Sequence, residues 1–331
     1  MTAPTEATLA VVIPYFQLQP GVLRKALASI AAQVNCPMAV LVIVVDDASP
    51  VPAAGEVAAI TMPTCISVQV VMQANGGPGA ARNKGLSLVP ESTKYIAFLD
   101  SDDEWSVDHL ERAIFALELG YDFYFADFLQ LDQTVGAFAR GGRLRAEEHP
   151  SLPGHHPDLH AYRGDMFDQI LRGNVVGTPT VVYRRDKFGA ARFLVEFTSA
   201  GEDYLFWMTL VTLGAKVAFS TRIAATCGRG VNVYAGVKWG TEPHLRRVQC
   251  ELRYRKTVGK LFALNTVQQQ FVQLCVVRLR EQFILATLHM LRHQKRIPSA
   301  LMRSQWRIDP PSYLLMPWIT LRRLLKRRDA H

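Results

Sequence analysis

The chain has 331 residues, 49 % hydrophobic and 20 % charged, with a formal net charge of +8. It is long enough for one large domain and an appendage. Its five cysteines, Cys36, Cys65, Cys227, Cys250 and Cys275, are scattered without a CxxC pair, which argues against a disulfide frame or a zinc site.

In chain order, "TLAVVIPYF" is a β-branched apolar run closed by Pro14 and predicts a buried strand. The opening segment has no basic stretch ahead of this run, which is too short and proline-broken for a signal peptide. "GVLRKALASIAAQV" sets Val22, Leu23, Ala26, Leu27, Ile30 and Val34 on one helical face. "MAVLVIVVDDASP" predicts a second strand ending at Asp46 and Asp47, and "ISVQVVMQ" a third. "NGGPGAARNKGLSLV" reads as a loop entering a helix, and "KYIAFLD" as a fourth strand, followed by a helix from Val107 to Leu119.

"YDFYFADFLQLD" and "TPTVVYRR" predict further strands, with "RGGRLRAEEHPSLPGHHPDLHAY" between them as an aperiodic surface excursion. His155 and His156 in that excursion are expected to face solvent. "GEDYLFWMTLVTLG" predicts a helix entered through Gly201 and stopped at Gly214. From Thr241 onward the pattern is helical only, with amphipathic stretches over 242–292 and 312–326 broken by Pro298 and "DPP". No stretch of about 18 uncharged apolar residues is present, so no transmembrane helix is expected.

Apolar strands alternating with helices predict an α/β fold, a doubly wound, mostly parallel, Rossmann-like sheet over 1–240, with a helical basic region over 241–331. Ligands of such sheets bind beyond the carboxyl ends of the strands. Pro14-Tyr15, Asp46-Asp47, Asn75-Gly76-Gly77 and Asp100 to Asp103 all fall there, so four polar clusters converge on one crevice.

The acidic cluster sets the chemistry. Asp100 and Asp102, spaced D-x-D around Ser101, offer hard oxygens suited to Mg²⁺ or Mn²⁺, ions that take their remaining ligands from waters and a diphosphate. The alternative is plain helix capping, because acidic residues are favoured at a helix start. The other strand ends favour the nucleotide. Asp47 can accept the imide hydrogen of uracil, Pro14-Tyr15 can wall the base, and Asn75-Gly76 brings backbone close to the ligand. Arg82 is aimed at phosphate or base. A dinucleotide fingerprint would follow the first strand, whereas these glycines follow the third.

"VVIPYF", "VVDDASP", "NGGPGAARNKGL" and "YIAFLDSDDEW", in this order and spacing over residues 8 to 235, resemble family 2 glycosyltransferases of the GT-A fold. The resemblance implies inverting transfer of a sugar from a nucleotide donor, usually UDP-linked, with a divalent metal. It implies that Asp47 binds the base, that Asp100 lies at the ribose and metal-water side, and that Asp102 ligates the metal. "GEDYLFW" matches the family's E-D motif, making Asp203 the candidate general base and Glu202 its neighbour, with helix capping as the alternative. "CGRGVNVYAG" stands where many relatives carry a late histidine, so Arg229 and Asn232 are candidates for the diphosphate instead. "GRGVNVYAG" and the chain's opening also resemble succinoglycan-type exopolysaccharide glucosyltransferases, which implies UDP-glucose. Asn174 and Thr178 are candidates for the donor-sugar pocket. Trp105 could stack on an acceptor sugar or pack under the acidic turn.

"SYLLMPWITLRRLLKRR" joins leucines and Trp318 to five cations, the composition of an interfacial helix on an anionic leaflet; a terminal helix docked on the protein is the alternative. The sequence therefore predicts a cytoplasmic enzyme, peripheral on the inner membrane, acting on a carbohydrate or lipid-linked oligosaccharide acceptor, with no nucleic acid partner. The competing readings are a nucleotidyltransferase and a non-catalytic nucleotide-sugar binder.

Overall fold

A computed structural model describes residues 9–197, 200–230 and 237–328, with side chains to residue 322. These fall into two compact units. The first comprises 9–197 with 202–230, and the second 200–201 with 237–328.

In the first unit the chain alternates as the hydrophobic runs dictate. It passes through β1 (Leu9–Tyr15), α1 (Val22–Ala31), β2 (Val40–Asp46), α2 (Ala53–Ala58), β3 (Ile66–Met72), α3 (Pro78–Leu88) and β4 (Tyr95–Phe98). Then come β5 (Glu104–Trp105), α4 (His109–Glu118), β6 (Phe123–Leu129) and α5 (Ala137–Gly141). The remainder is β7 (Leu159–Ala161), α6 (Met166–Arg172), β8 (Val182–Arg184), α7 (Arg185–Phe188), α8 (Glu202–Thr212) and β9 (Val217–Thr226).

The sheet order is β3-β2-β1-β4-β8-β6-β9-β5, with β7 beside β9. Strands β3, β2, β1 and β4 are parallel, β8 is antiparallel to both of its neighbours, and β6 and β9 run parallel to each other. The carboxyl ends of β1, β2, β3, β4, β6 and β9 and the amino end of β8 therefore share one edge of the sheet.

Side chains alternate across a strand, so each run covers both faces. Leu9, Val11, Ile13 and Tyr15 of β1 join the core cluster of Leu23, Ala26, Leu27 and Ile30 from α1. The other face takes α3 and α8. Gly85 of α3 sits so close to β1 that a Cβ there would lie 2.4 Å from Val12 Cγ1. Trp207 of α8 stacks on Phe123 at 5.6 Å and meets Phe98 at 5.9 Å. Full burial of a phenylalanine such as Phe98 or Phe123 contributes about 1.5–3 kcal/mol.

Some local expectations change. Helix α1 stops at Ala31, leaving Val34 exposed. The aperiodic excursion is not all surface: it supplies β7, which pairs antiparallel with β9, and His156 is buried while His155 is exposed. Arg112 anchors His156 by donating to its Nδ1 at 3.1 Å.

The second unit is helical: α9 (Glu242–Leu261), α10 (Thr266–Arg292), α11 (Ser299–Ile308), α12 (Pro311–Leu314) and α13 (Met316–Arg328). The run expected over 242–292 is two helices, because Asn265 and Gln268 form a capping box that starts α10 afresh. Leu245, Val248 and Leu252 pack with Leu279, Phe283, Ala286 and Met290, a helical-period seam on each partner. Asp309, wholly buried, accepts two bonds from Arg280 at 2.7 and 2.8 Å, one from Lys256 at 3.1 Å and one from Ser312 at 2.7 Å. Those donors hold its carboxyl down at about 2 although burial opposes them. Among the described residues, no helix is long and apolar enough to cross a membrane.

Candidate active site

The acidic residues after β4 form a turn, closed by Asp103 N–H donating to the Asp100 carbonyl at 3.0 Å. They do not cap a helix. The chain next forms β5, antiparallel to β9, and α4 begins only at His109. The capping alternative thus fails at this turn.

What compensates the carboxylates is a buried arginine and two glycine amides. Arg82 Nη2 donates to Asp100 Oδ1 at 2.7 Å, and its Nη1 donates to Glu202 Oε1 at 3.1 Å. Gly230 N–H donates to Asp102 Oδ2 at 2.8 Å and Gly228 N–H to Asp103 Oδ1 at 3.0 Å. A Cβ on Gly228 would lie 1.7 Å from the Asp102 carbonyl oxygen, so only glycine allows this approach. Ser101 is buried and accepts from Gln17 Nε2 at 3.0 Å.

Even so, charge is left over. Burial, and then Asp100, push the Asp102 carboxyl up to about 6, and burial with Asp100 and Asp102 drives Asp103 well above its ordinary range. Asp100 Oδ2 accepts no hydrogen bond among the described residues. Hard carboxylate oxygens crowded in this way suit a small divalent cation, which would favour their ionised forms.

The glycine loop is organised by Asp47. Its Oδ1 accepts from Gln73 Nε2 at 2.7 Å and Gly76 N at 2.8 Å, and its Oδ2 from Gly77 N at 2.8 Å. Asn75 Nδ2 donates to the Asp47 carbonyl at 3.0 Å. Gly77, at φ 83°, turns the chain into α3, whose first residue is Pro78. Gln73, which the motif reading passed over, thus belongs to the same network.

Helix α8 brings the acid pair. Glu202 is buried against Arg82; burial first and Asp203 second push its carboxyl up to about 7. Asp203 is also raised, chiefly by burial, against the pull of Arg82. Thr178 Oγ1 donates to Asp203 Oδ2 at 3.3 Å, and the Asp203 Oδ1 accepts from Tyr204 N at 2.8 Å. A cavity of 350 Å³ opens here, and Asp100, Asp103, Asp203, Asn174 and Thr178 all line it.

Several expected side chains sit elsewhere than the motifs suggest. Arg82 is buried and doubly ion-paired, so it ties two motifs together instead of presenting its charge to a ligand. Tyr15 is buried in the core, leaving no open ring face for a base, while Pro14 is partly exposed. Trp105 packs under the turn, donating to the Pro179 carbonyl, with its ring 4.7 Å from that of His109. Arg229 pairs with Asp132, and Asn232 lies outside the described residues.

The sequence reading missed Gly228 and Gly230 as amide donors. It also missed Glu111, His155 and His156, whose ligand atoms lie within 4.8 Å of one another. The Arg112 guanidinium beside His156 opposes a cation at that second cluster.

Comparison with known proteins agrees with this geometry. The family model "Glycosyl transferase family 2" matches residues 10–184. The chain is 35 % identical to the succinoglycan biosynthesis protein ExoW of Rhizobium meliloti (strain 1021) over 233 residues, 70 % of this chain and 72 % of that one. Among solved structures, S. aureus TarS 1-349 in complex with UDP-GlcNAc aligns with a TM-score of 0.53 at 17 % identity, covering 86 % of this chain and 72 % of that one. The mannosyltransferase PcManGT from Pyrobaculum calidifontis, in complex with GDP-Man and Mn²⁺, gives 0.54 at 15 % identity, covering 96 % and 86 %. At such identities the two structures speak to the fold alone, which is GT-A. By its family match and its likeness to ExoW, the chain belongs to glycosyl transferase family 2.

Proposed function

We propose that this glycosyltransferase moves a hexose, glucose in the first instance, from a UDP donor onto a lipid-linked or oligosaccharide acceptor of a surface polysaccharide, with inversion. The observation that carries the reading is the link through Arg82. It joins Asp100 of the acidic turn to Glu202 of α8, so that the motif matching a donor site and the motif matching a base border one cavity.

In this reading Asp203 takes the proton of the attacking acceptor hydroxyl. The new C–O bond forms at the anomeric carbon as the bond to the β-phosphate oxygen breaks, and UDP leaves. A carboxylate raised by burial is a better base near neutral pH than a free one. Thr178 orients it through the hydrogen bond to Oδ2. Asp102 and Asp100 would hold a Mn²⁺ or Mg²⁺ ion, which supplies charge neutralisation of the diphosphate when bound. Asp47 holds the Gly76-Gly77 backbone in place for the nucleotide, and Arg82 fixes Asp100 and Glu202 against their mutual repulsion.

The likeness to ExoW favours a role in exopolysaccharide assembly, and a membrane-borne acceptor suits the C-terminal helix. In that region Leu314, Trp318 and Leu321 are exposed, and Arg322 lies 5.3 Å over the Trp318 ring. Exposed apolar side chains beside cations fit peripheral attachment to an anionic leaflet.

The experiment is incubation with a panel of nucleotide sugars and Mn²⁺, followed by measurement of UDP release in the presence of polysaccharide-linked acceptors. UDP-glucose should be used, and Asp203→Asn should bind the donor normally while transfer falls about 10²–10⁴-fold. Full transfer by Asp203→Asn would remove the base assignment, and release from no UDP-sugar would remove the donor assignment.

A further inference from the structure

The cavity at Asp203 also carries charge of the opposite sign. Arg140 and Arg143 line it, both exposed, and neither has a carboxylate within ion-pair distance among the described residues. They come from the segment after β6, apart from the loops at the ends of β1, β2 and β3 that this reading gives to the nucleotide.

Both arginines are held in place. Helix α5, which carries Arg140, is pinned by Asp127 at the end of β6, whose Oδ1 accepts from Phe138 N at 3.0 Å. Arg140 Nη2 donates to Gln130 Oε1, another lining residue. The Arg143 guanidinium lies on the backbone of Gly173, where a Cβ would meet its Cζ at 2.6 Å. Gly173 has φ 173°, an extended conformation open to any residue. What glycine supplies there is room for the guanidinium.

A cavity lined by Asp103 and Asp203 would repel an anion unless cations were set against them, and two guanidiniums without a salt-bridge partner among the described residues are the groups that grip oxyanions by paired hydrogen bonds. We propose that Arg140 and Arg143 form an oxyanion-binding rim on the acceptor side of the cavity, and that the acceptor carries a phosphate or a carboxylate near the attacked hydroxyl. This deepens the reading above and rests on its placement of the acceptor beside Asp203.

The test uses saturation-transfer NMR on the full chain with three probes: glucose 1-phosphate, glucuronate and methyl glucoside, each with and without saturating UDP and Mn²⁺. One or both anionic probes should bind the wild type. Arg140→Gln/Arg143→Gln should weaken that binding at least tenfold, roughly the effect of losing two charge-assisted contacts, and leave methyl glucoside and UDP affinity unchanged.

Gly173→Ala keeps both charges but pushes Arg143 aside, and should weaken the anion by a smaller factor. Which anion responds tells a phosphate-bearing acceptor from an acidic sugar. Equal binding of the anions by wild type and double variant, or displacement of glucose 1-phosphate by UDP, would overturn the rim. Failure of UDP to bind the wild type would instead strike the donor reading, and the titrations without UDP would still decide on the rim.

Discussion

Arg82 Nη1 donates to Glu202 Oε1 at 3.1 Å, across 120 residues of chain, while its Nη2 holds Asp100. This answers why a hydrophobic strand can end in so many carboxylates: the compensating charge is built into α3, beneath the turn. Burial alone would lower the Arg82 pKa, but Asp100 and Glu202 raise it above its ordinary value, so its charge is permanent.

Removing that charge exposes the cost of the arrangement. Arg82→Leu leaves Asp100 and Glu202 facing each other with no cation, and breaking a buried pair from one side costs about 3–5 kcal/mol. Urea denaturation should show a loss of this order. A change below 1 kcal/mol would mean that the two carboxylates are neutral or solvated without Arg82.

Gly228→Ala tests the contact from the other side of the turn. The new Cβ meets the backbone oxygen of Asp102, which cannot rotate away, so the turn must move. A displacement of about 1 Å at a reacting centre costs on the order of 100-fold in rate, and donor turnover should fall by about that much. Near-native turnover would show that the position of Asp102 is not critical.

His109 makes the first unit acid-sensitive. It is wholly buried between the rings of Trp105 and Tyr124, neither ring nitrogen has a partner among the described residues, and burial lowers its pKa to about 3. The folded value lies below the unfolded value of about 6.5. Its neutral form is therefore no burden above pH 6.5, and stability drains away as pH falls from there toward 3, by about 1.4 kcal/mol per pH unit. His109→Leu should hold its stability at pH 7.5 and lose less than wild type at pH 5. Parallel pH profiles by denaturant titration would contradict this.

The C-terminal helix makes a binding prediction. Trp318→Ala/Leu321→Ala/Arg322→Glu should reduce sedimentation with phosphatidylglycerol vesicles about tenfold or more, since one cation near such a surface is worth roughly 1 kcal/mol and charge reversal costs more. Unchanged sedimentation would favour a helix whose face serves some other contact.

The sheet was legible because apolar runs and their polar ends are local: "TLAVVIPYF", "MAVLVIVVDD" and "KYIAFLD" each carry a strand, and the last two carry a candidate site residue with it. The acidic turn and the E-D helix start were legible for the same reason. The pairing of Arg82 was not, because its partners lie 18 and 120 residues away and only the packing of α3 and α8 brings them together. Gly228 and Gly230 act through backbone amides, which leave no side-chain signature. Strand β7 is three residues long and its middle residue is a buried histidine, so no period announced it. Arg140 and Arg143 fell in that same aperiodic stretch, where composition suggested only a solvated surface.

The most direct measurement is calorimetric titration of UDP into the protein with and without Mn²⁺, for the wild type and for Asp102→Asn. The predicted result is tight binding by the wild type only when the ion is present, lost in the variant. Equal UDP affinity in all four titrations would contradict a cation held at the acidic turn, and with it the transferase mechanism built on that turn.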